Sequence, residues 1–490
     1  MNYARLRYVP VILFILTSLA FSQGSGSIDL NSLDNYSNQT RPAYILKDNT
    51  PPHNPITDAG ATLGRVLFYD KKLSSNNSVS CASCHHQQHA FGDLDQVSTG
   101  VNGITKRHSM RLINTRFGLE KKFFWDERAA SLEEQSSLPL HDHIEMGFSG
   151  TNGDPEFDSL LTKMSTLDYY SILFDFVYGD PTISEERIQL AMSQFIRSIE
   201  SFDSRFDIGM RLTGDLHAYF PNFTKSQNNG KDLFLGTPIF NTDGERVAGG
   251  AGCALCHTPP EFAIKPGSGN NNFTHKVGGG NDFDITRAPT LRDVVKATGA
   301  SNGGLMHAGS MVSLIHVIDH YDRIEIVEGN NRINPILVRG NQGWNLRLST
   351  NEVRDLFRFI VTLGGSNVYY NPKWSDPFDA NGNLVIIPPT TTGIDPHAPA
   401  DDLTFELMQN YPNPFNPSTT ISYRISQSSQ VTVVVYNVLG KEISTLVNEF
   451  QQAGRYSLPF NAADLPAGIY FYRLTADGQT VMTRKMLLSK

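Results

Sequence analysis

Four cysteines occur in the 490 residues, and two pentapeptides use them all: Cys81-Ala82-Ser83-Cys84-His85 and Cys253-Ala254-Leu255-Cys256-His257. Thiols spaced in this way add across the vinyl groups of a porphyrin, and the adjacent imidazole reaches the iron. Cys-x-x-Cys-His is therefore the attachment signature of c-type haem. A redox dithiol and half of a zinc site are the competing readings. A dithiol does not require the following histidine, and zinc clusters usually hold their cysteine pairs closer together. Two covalent haems are the expectation, with His85 and His257 as proximal ligands. No thiol is left for a structural disulfide.

Each motif needs a scaffold, and the scaffold repeats. Gly64-x-x-Leu67-Phe68 precedes Cys81, and Gly230-x-x-Leu233-Phe234 precedes Cys253. The order helix, loop, motif is kept while the loops differ in length, as in a duplicated module. Each copy is expected to be mostly helical with long loops, since haem fills much of its core. A helix is predicted over 59–68, with Leu63, Val66 and Leu67 on one side. The clearest amphipathic stretch is 184–202, where Ile188, Ala191, Phe195, Ile196 and Ile199 recur mostly at steps of three and four. Glu185 and Glu186 suit the dipole of its first turn. A helix over 351–363 starts after Ser349 and Thr350 and stops at Gly364-Gly365.

Beyond a proline- and threonine-rich linker at 388–402 the period changes to two. Ile421, Tyr423 and Ile425 alternate with polar residues, Val431, Val433 and Val435 keep the step, and Gly468 to Leu474 forms another strand. Short alternating strands of this kind indicate a small all-β sandwich.

The length exceeds one ordinary core, so two to four domains are expected. A composition of 39% apolar and 18% charged residues is globular, and the net charge of -8 argues against nucleic acid as a partner. Arg5 and Arg7 followed by an apolar run and Ala20-Phe21-Ser22 read as a secretory signal over 1–22, against a retained anchor as the alternative. Export agrees with the motifs, because c-type haem is attached outside the bacterial cytoplasm. The fold class is mainly α: two cytochrome-c-like helical haem domains followed by an Ig-like β sandwich. The expected division is signal 1–22, a loosely held lead-in 23–55, an N-terminal haem domain 56–225, a C-terminal haem domain 226–376, linker 377–402 and β domain 403–490.

The stretch 403–490 resembles the C-terminal sorting domain of type IX secretion cargo. The likeness is carried by Asn410-Tyr411-Pro412-Asn413-Pro414-Phe415-Asn416-Pro417, the Tyr436-Asn437-x-x-Gly440 turn, Gly468-Ile469-Tyr470 and Lys485-Met486-Leu487. It implies the type IX secretion machinery as a partner, passage through the periplasm, and then the cell surface or release.

The stretch 56–375 resembles the bacterial di-haem cytochrome c peroxidase family, which includes the MauG-type enzymes. Beyond the haem motifs the likeness rests on Phe124-Trp125-Asp126-Glu127-Arg128-Ala129, Ser131-Leu132-Glu133-Glu134-Gln135 and Glu145-Met146-Gly147. In the second half it rests on Ala288-Pro289-Thr290-Leu291-Arg292-Asp293, Met306-His307-Ala308-Gly309 and Val317-Ile318-Asp319-His320-Tyr321. The resemblance implies a peroxide site at the haem of His85, with Glu145 moving a proton, Gln135 hydrogen-bonding and Pro139 shaping the pocket. Trp125 would bridge the haems. The haem of His257 would store or relay the second electron. Tyr321 stands where MauG-type enzymes place its sixth ligand; Met306 and Met311 remain alternatives. A phenolate favours ferric iron and a thioether ferrous iron. His307 would support the haem pocket or a propionate.

Two departures stand out. The loop 97–103 lacks the histidine that in many family members blocks the first iron, although His89 and His108 are near in sequence. The family's inter-domain calcium would use carbonyls at Thr286 and Pro289, but His108 follows Arg107 where an Asn is expected, and imidazole is a poor calcium ligand. The leading function is reduction of hydrogen peroxide to water with electrons from a small donor of cytochrome c or cupredoxin type. MauG-like oxidation of a protein or organic substrate is the second, and a non-catalytic electron conduit the third. A homodimer is left open.

Overall fold

The computed structural model describes residues 24–389 and 405–489, apart from 119–121, 265–266, 286, 288, 411–412, 426 and 452–453. The signal expected at 1–22 lies outside these residues, as do Thr286, Ala288, Tyr411, Pro412 and most of the 388–402 linker. The chain divides into two compact units, Met1–Pro389 and Thr390–Lys490.

Among the described residues the first unit holds nine α-helices: α1 (Asp58–Tyr69), α2 (Leu132–His141), α3 (Phe157–Ser165), α4 (Asp168–Tyr178), α5 (Glu185–Ser198), α6 (Arg205–Thr213), α7 (Lys225–Leu235), α8 (Leu314–Asp322) and α9 (Thr350–Val361). Long loops connect them. The Thr57 hydroxyl caps α1 by accepting from the Gly60 N–H, which satisfies one of the orphan donors at a helix start. In α9, Ser349 and Glu352 form a reciprocal capping box.

The repeated glycines have a shared structural reason. α1 packs on α5, and α7 packs on α9. A Cβ added at Gly64 would run into the Ala191 carbonyl of α5, and one at Gly230 into the Asp355 carbonyl of α9. Each glycine thus lies where two helix backbones touch, and the following Phe68 and Phe234 are fully buried beside that crossing. Two cores result. One gathers Leu63, Phe68, Phe91 and Phe195, with Cys81 and Ala82 packed against it. The other gathers Phe206, Phe234, Phe262 and Phe359 around Cys253, Ala254 and Leu255. Both Cys motifs begin as single 3-10 turns, Cys81–Ser83 and Cys253–Leu255.

Three expectations change. The described part of the lead-in is not loosely held: Ser27–Asp29 pairs in parallel with Val385–Ile387. Tyr36 is fully buried, and Tyr44 hydrogen-bonds Asp207 at 2.6 Å. Polar composition hid these anchors. Residues 367–387 return to the first core, contributing Val368, Trp374 and Phe378, so the first unit runs past 376. The 184–202 helix stops at Ser198, because Ile199 turns to extended geometry with ψ 100° and Asn114 captures the Ser201 N–H at 2.9 Å.

The second unit carries two antiparallel sheets. Ser418–Ile425 lies between Glu406–Leu407 and Gly454–Asn461, while the other sheet runs Glu442–Gln451, Ser429–Asn437, Gly468–Ala476, Gln479–Leu488. Ile421, Tyr423, Val433, Tyr472 and Leu474 from both sheets form one core, as the two-residue period predicts.

Candidate active site

Each Cys motif opens on its own cavity. Cys81, Cys84 and His85 line one of about 2420 Å³, open mouth included. Cys253, Cys256 and His257 line another of about 1520 Å³. Both volumes include space open to solvent. Burial pushes the Cys81 thiol up to about 12, Cys84 to about 11 and Cys253 to about 12. A redox dithiol needs the reverse, a depressed thiol pKa, so the environment suits thiols destined for thioether bonds.

The His85 Nδ1 lies 3.0 Å from the Phe91 carbonyl. A carbonyl only accepts, so Nδ1 carries the proton and Nε2 keeps its lone pair for a metal, the usual support of a ligating histidine. Burial lowers the pKa of both His85 and His257, the latter to about 4. Both rings are therefore neutral and able to ligate. Cavities, thiols and imidazoles all fit haem.

In the first cavity α2 presents Gln135 and Pro139, one turn apart on one face. The Ser131 hydroxyl caps this helix from the Glu134 N–H. Glu133 clamps it to α5 through Arg197, with Oε1 2.6 Å from Nη1 and Oε2 3.0 Å from Nη2. The Gln135 Oε1 is buried without a hydrogen-bond partner, an acceptor facing space that a donor would fill. Past the helix, Asp142 Oδ1 accepts from the N–H groups of Ile144 and Glu145 at 2.8 and 3.0 Å. This turn brings Glu145 into the same cavity. Burial, then the neighbouring Asp142 charge, pushes the Glu145 carboxyl up to about 7, against the opposing pull of Arg128. A carboxyl poised there can both take and give a proton near neutrality.

The loop 97–103 packs directly on this turn: Val101 N–H donates to the Glu145 carbonyl at 3.0 Å. A Cβ at Gly100 would meet the Ile144 carbonyl, so the close approach requires glycine. His89 does not line the cavity. His108 does, but its Nδ1 is tied to the Asp95 and Gln96 carbonyls at 3.0 and 3.1 Å.

Trp125 lines both cavities. Its Nε1 donates to the His108 carbonyl at 2.7 Å, and its ring meets that of His307 edge-on at 6.2 Å. The turn that carries it bends through positive φ at Phe124 and Glu127 and is closed by a bridge between Phe123 and Ala129. Arg107 fastens this turn to the second module, reaching Asp126 at 2.6 Å and Asp282 at 2.8 Å.

The second cavity brings Tyr321 and Met306 together, with His307 beside them. The Asn271 amide donates to the Tyr321 hydroxyl at 2.7 Å and lies 3.5 Å from the Met306 sulfur. Burial raises the Tyr321 pKa, which the Asn271 hydrogen bond opposes. Met311 is not part of the lining. Pro289 lines this cavity as well. The signals missed in the sequence are Asn271, Arg107 with Asp282, and Arg111, whose alignment depends on contacts between distant loops.

Residues 58–215 match the family described as di-haem cytochrome c peroxidase, and 409–489 match the secretion system C-terminal sorting domain. The chain therefore carries a di-haem cytochrome c peroxidase domain. Methylamine utilization protein MauG of Methylophilus methylotrophus is 28% identical over 324 residues, covering 64% of this chain and 85% of that protein. Cytochrome c551 peroxidase of Nitrosomonas europaea is 24% identical over 328 residues, covering 66% and 84%. The crystal structure of a MauG-like protein associated with microbial copper homeostasis is 28% identical with a TM-score of 0.54, covering 69% of this chain and 99% of that one. The matching domain and these relatives make the protein an oxidoreductase, and the domain implies covalently bound haem c. Its sorting domain marks it for export by type IX secretion. No helix among the described residues is long and apolar enough to cross a membrane.

Proposed function

We propose that the protein is a di-haem peroxidase that reduces hydrogen peroxide to water at the haem of Cys81, Cys84 and His85. The observation that carries this reading is the convergence of Glu145, Gln135 and Pro139 on that cavity. Haem held by Cys81, Cys84 and His85 would supply the iron chemistry that cleaves the peroxide bond and would pass on the electrons it consumes. Peroxide takes two electrons and two protons to give two waters. Glu145 accepts a proton from one peroxide oxygen and delivers it to the other, so that water leaves. Gln135 orients the peroxide by hydrogen bonding, and Pro139 keeps the cavity wall in place. Trp125 spans the wall between the cavities and serves as the relay for electrons from the His257 side. Tyr321 would join His257 in holding the haem iron there, with Met306 as the alternative beside the same Asn271. His307 supports the haem of that cavity. Calcium between the modules is disfavoured, because His108, which lines both cavities, stands where an oxygen donor is expected. The electrons enter from a small cytochrome c or cupredoxin type donor.

A second reading, MauG-like oxidation of a protein or organic substrate, is favoured by one feature: the Tyr321 hydroxyl in the second cavity. The test is the spectrum of the ferric protein before and after peroxide. A high-spin band that disappears on addition is expected. Two low-spin haems indifferent to peroxide would sink both enzyme readings and leave an electron conduit.

A further inference from the structure

Arg111 lines both cavities and is only 9% exposed, yet it takes no part in the peroxide chemistry proposed for Glu145 and Gln135. Its stem packs on the loop behind the first haem motif, where a Cβ on Gly92 would lie 2.8 Å from the Arg111 Cγ. The guanidinium makes no hydrogen bond or ion pair with any described residue, and its Nε is fully enclosed without an acceptor. Neighbouring arginines are matched: Arg107 with Asp126 and Asp282, Arg128 with Asp126, Arg292 with Asp207. Asp293 and Tyr369 act on Arg111 only from a distance. The Asp293 oxygens are already taken by Ser201, Tyr369 and the Gly365 N–H at 2.6, 2.8 and 2.7 Å.

Leaving a buried guanidinium unpaired costs several kcal/mol. Burial lowers its pKa to about 10, with Tyr369 and Asp293 opposing, so the group stays charged at neutral pH and requires an anion. The cavities it faces are those that fit haem. A porphyrin held by the thioethers of either motif carries two propionates, and a carboxylate matches the planar fork of arginine. The nearby carboxylates are engaged elsewhere: Asp126 and Asp282 by Arg107, and Asp284 by Arg332, while neither Glu145 nor Asp142 pairs with Arg111.

We propose that Arg111 anchors a haem propionate at the wall shared by the two cavities, and that its fixed charge raises the reduction potential of that haem. A positive charge beside the porphyrin favours the ferrous over the ferric state, which carries one more positive charge. Arg111 is thus a cofactor-positioning residue, and it rests on the two-haem reading of the cavities.

The test is a spectroelectrochemical titration of the full-length holoprotein and its Arg111→Gln variant, after haem content has been measured. In Arg111→Gln the ferrous-to-ferric ratio of one haem should fall about tenfold at fixed potential, a shift of about 59 mV for a one-electron couple. The haem that moves identifies which cavity supplies the propionate. Two bound haems with both potentials unchanged within about twofold would overturn the proposal. If Arg111→Gln does not accumulate, Arg111→His is read instead. Its charge titrates, so one potential should fall as pH rises through the imidazole range beyond any wild-type slope, and a slope equal to wild type overturns the assignment. A wild-type chain without two haems would fail the underlying reading rather than the role of Arg111.

Discussion

At the scale of single residues, the proposed chemistry turns on two side chains whose surroundings alter their ordinary behaviour. Glu145 is held at about 7 chiefly by burial. In the proposed role its carboxylate form accepts the peroxide proton, so kcat/KM should rise with pH through an inflection near 7. Glu145→Gln should remove that inflection and lower peroxide turnover by about 10²–10⁴, the usual range for a proton-transfer group, with haem content unchanged. Stopped-flow peroxide consumption across pH 5 to 9 measures both. Tyr321 sits 2.7 Å from the Asn271 amide. Tyr321→Phe should change only the low-spin spectrum of the second haem; an unaltered low-spin signature would transfer the ligand role to Met306.

At the scale of elements, α2 is the platform for Gln135 and Pro139, and a buried ion pair fixes it to α5. Burial alone would raise Glu133, but Arg197 and Asn54 overcome it and hold the carboxyl at about 2. A depressed folded-state pKa means this stabilisation is complete above the ordinary Glu value of 4.5 and is lost as pH falls through about 2. Arg197→Met strands the carboxylate and should cost about 3–5 kcal/mol at neutral pH, with the difference shrinking in acid. Chemical denaturation at pH 7 and pH 3 checks both statements; equal losses at the two pH values would remove the ion pair as the cause. The helix crossings at Gly64 and Gly230 obey a different constraint, since there the backbone itself is the neighbour. Gly230→Ala should destabilise by about 1–3 kcal/mol through overpacking, read as a lower thermal midpoint.

At the scale of the whole molecule, the two units have separate cores. Ending the chain at Pro389 should leave the haem spectra and peroxide reactivity intact while abolishing type IX export, which fractionation and haem staining would show. Loss of haem incorporation in the truncated chain would contradict this independence. Much of this organisation was legible beforehand. The Cys-x-x-Cys-His motifs, the Gly-x-x-Leu-Phe repeat and the change from helical to two-residue period are local patterns, and local patterns survive in a linear string. The cofactor class, the duplicated modules and the β-rich end follow from them. What tertiary structure alone decided is which loops meet. The return of Trp374 and Phe378 to the first core, the anchoring of Tyr36, and the placing of Trp125 and Arg111 on one wall between two cavities all join residues far apart in the chain. No periodicity encodes such meetings, because they are set by how helix pairs close over their glycines and by where long loops find partners for their buried polar groups.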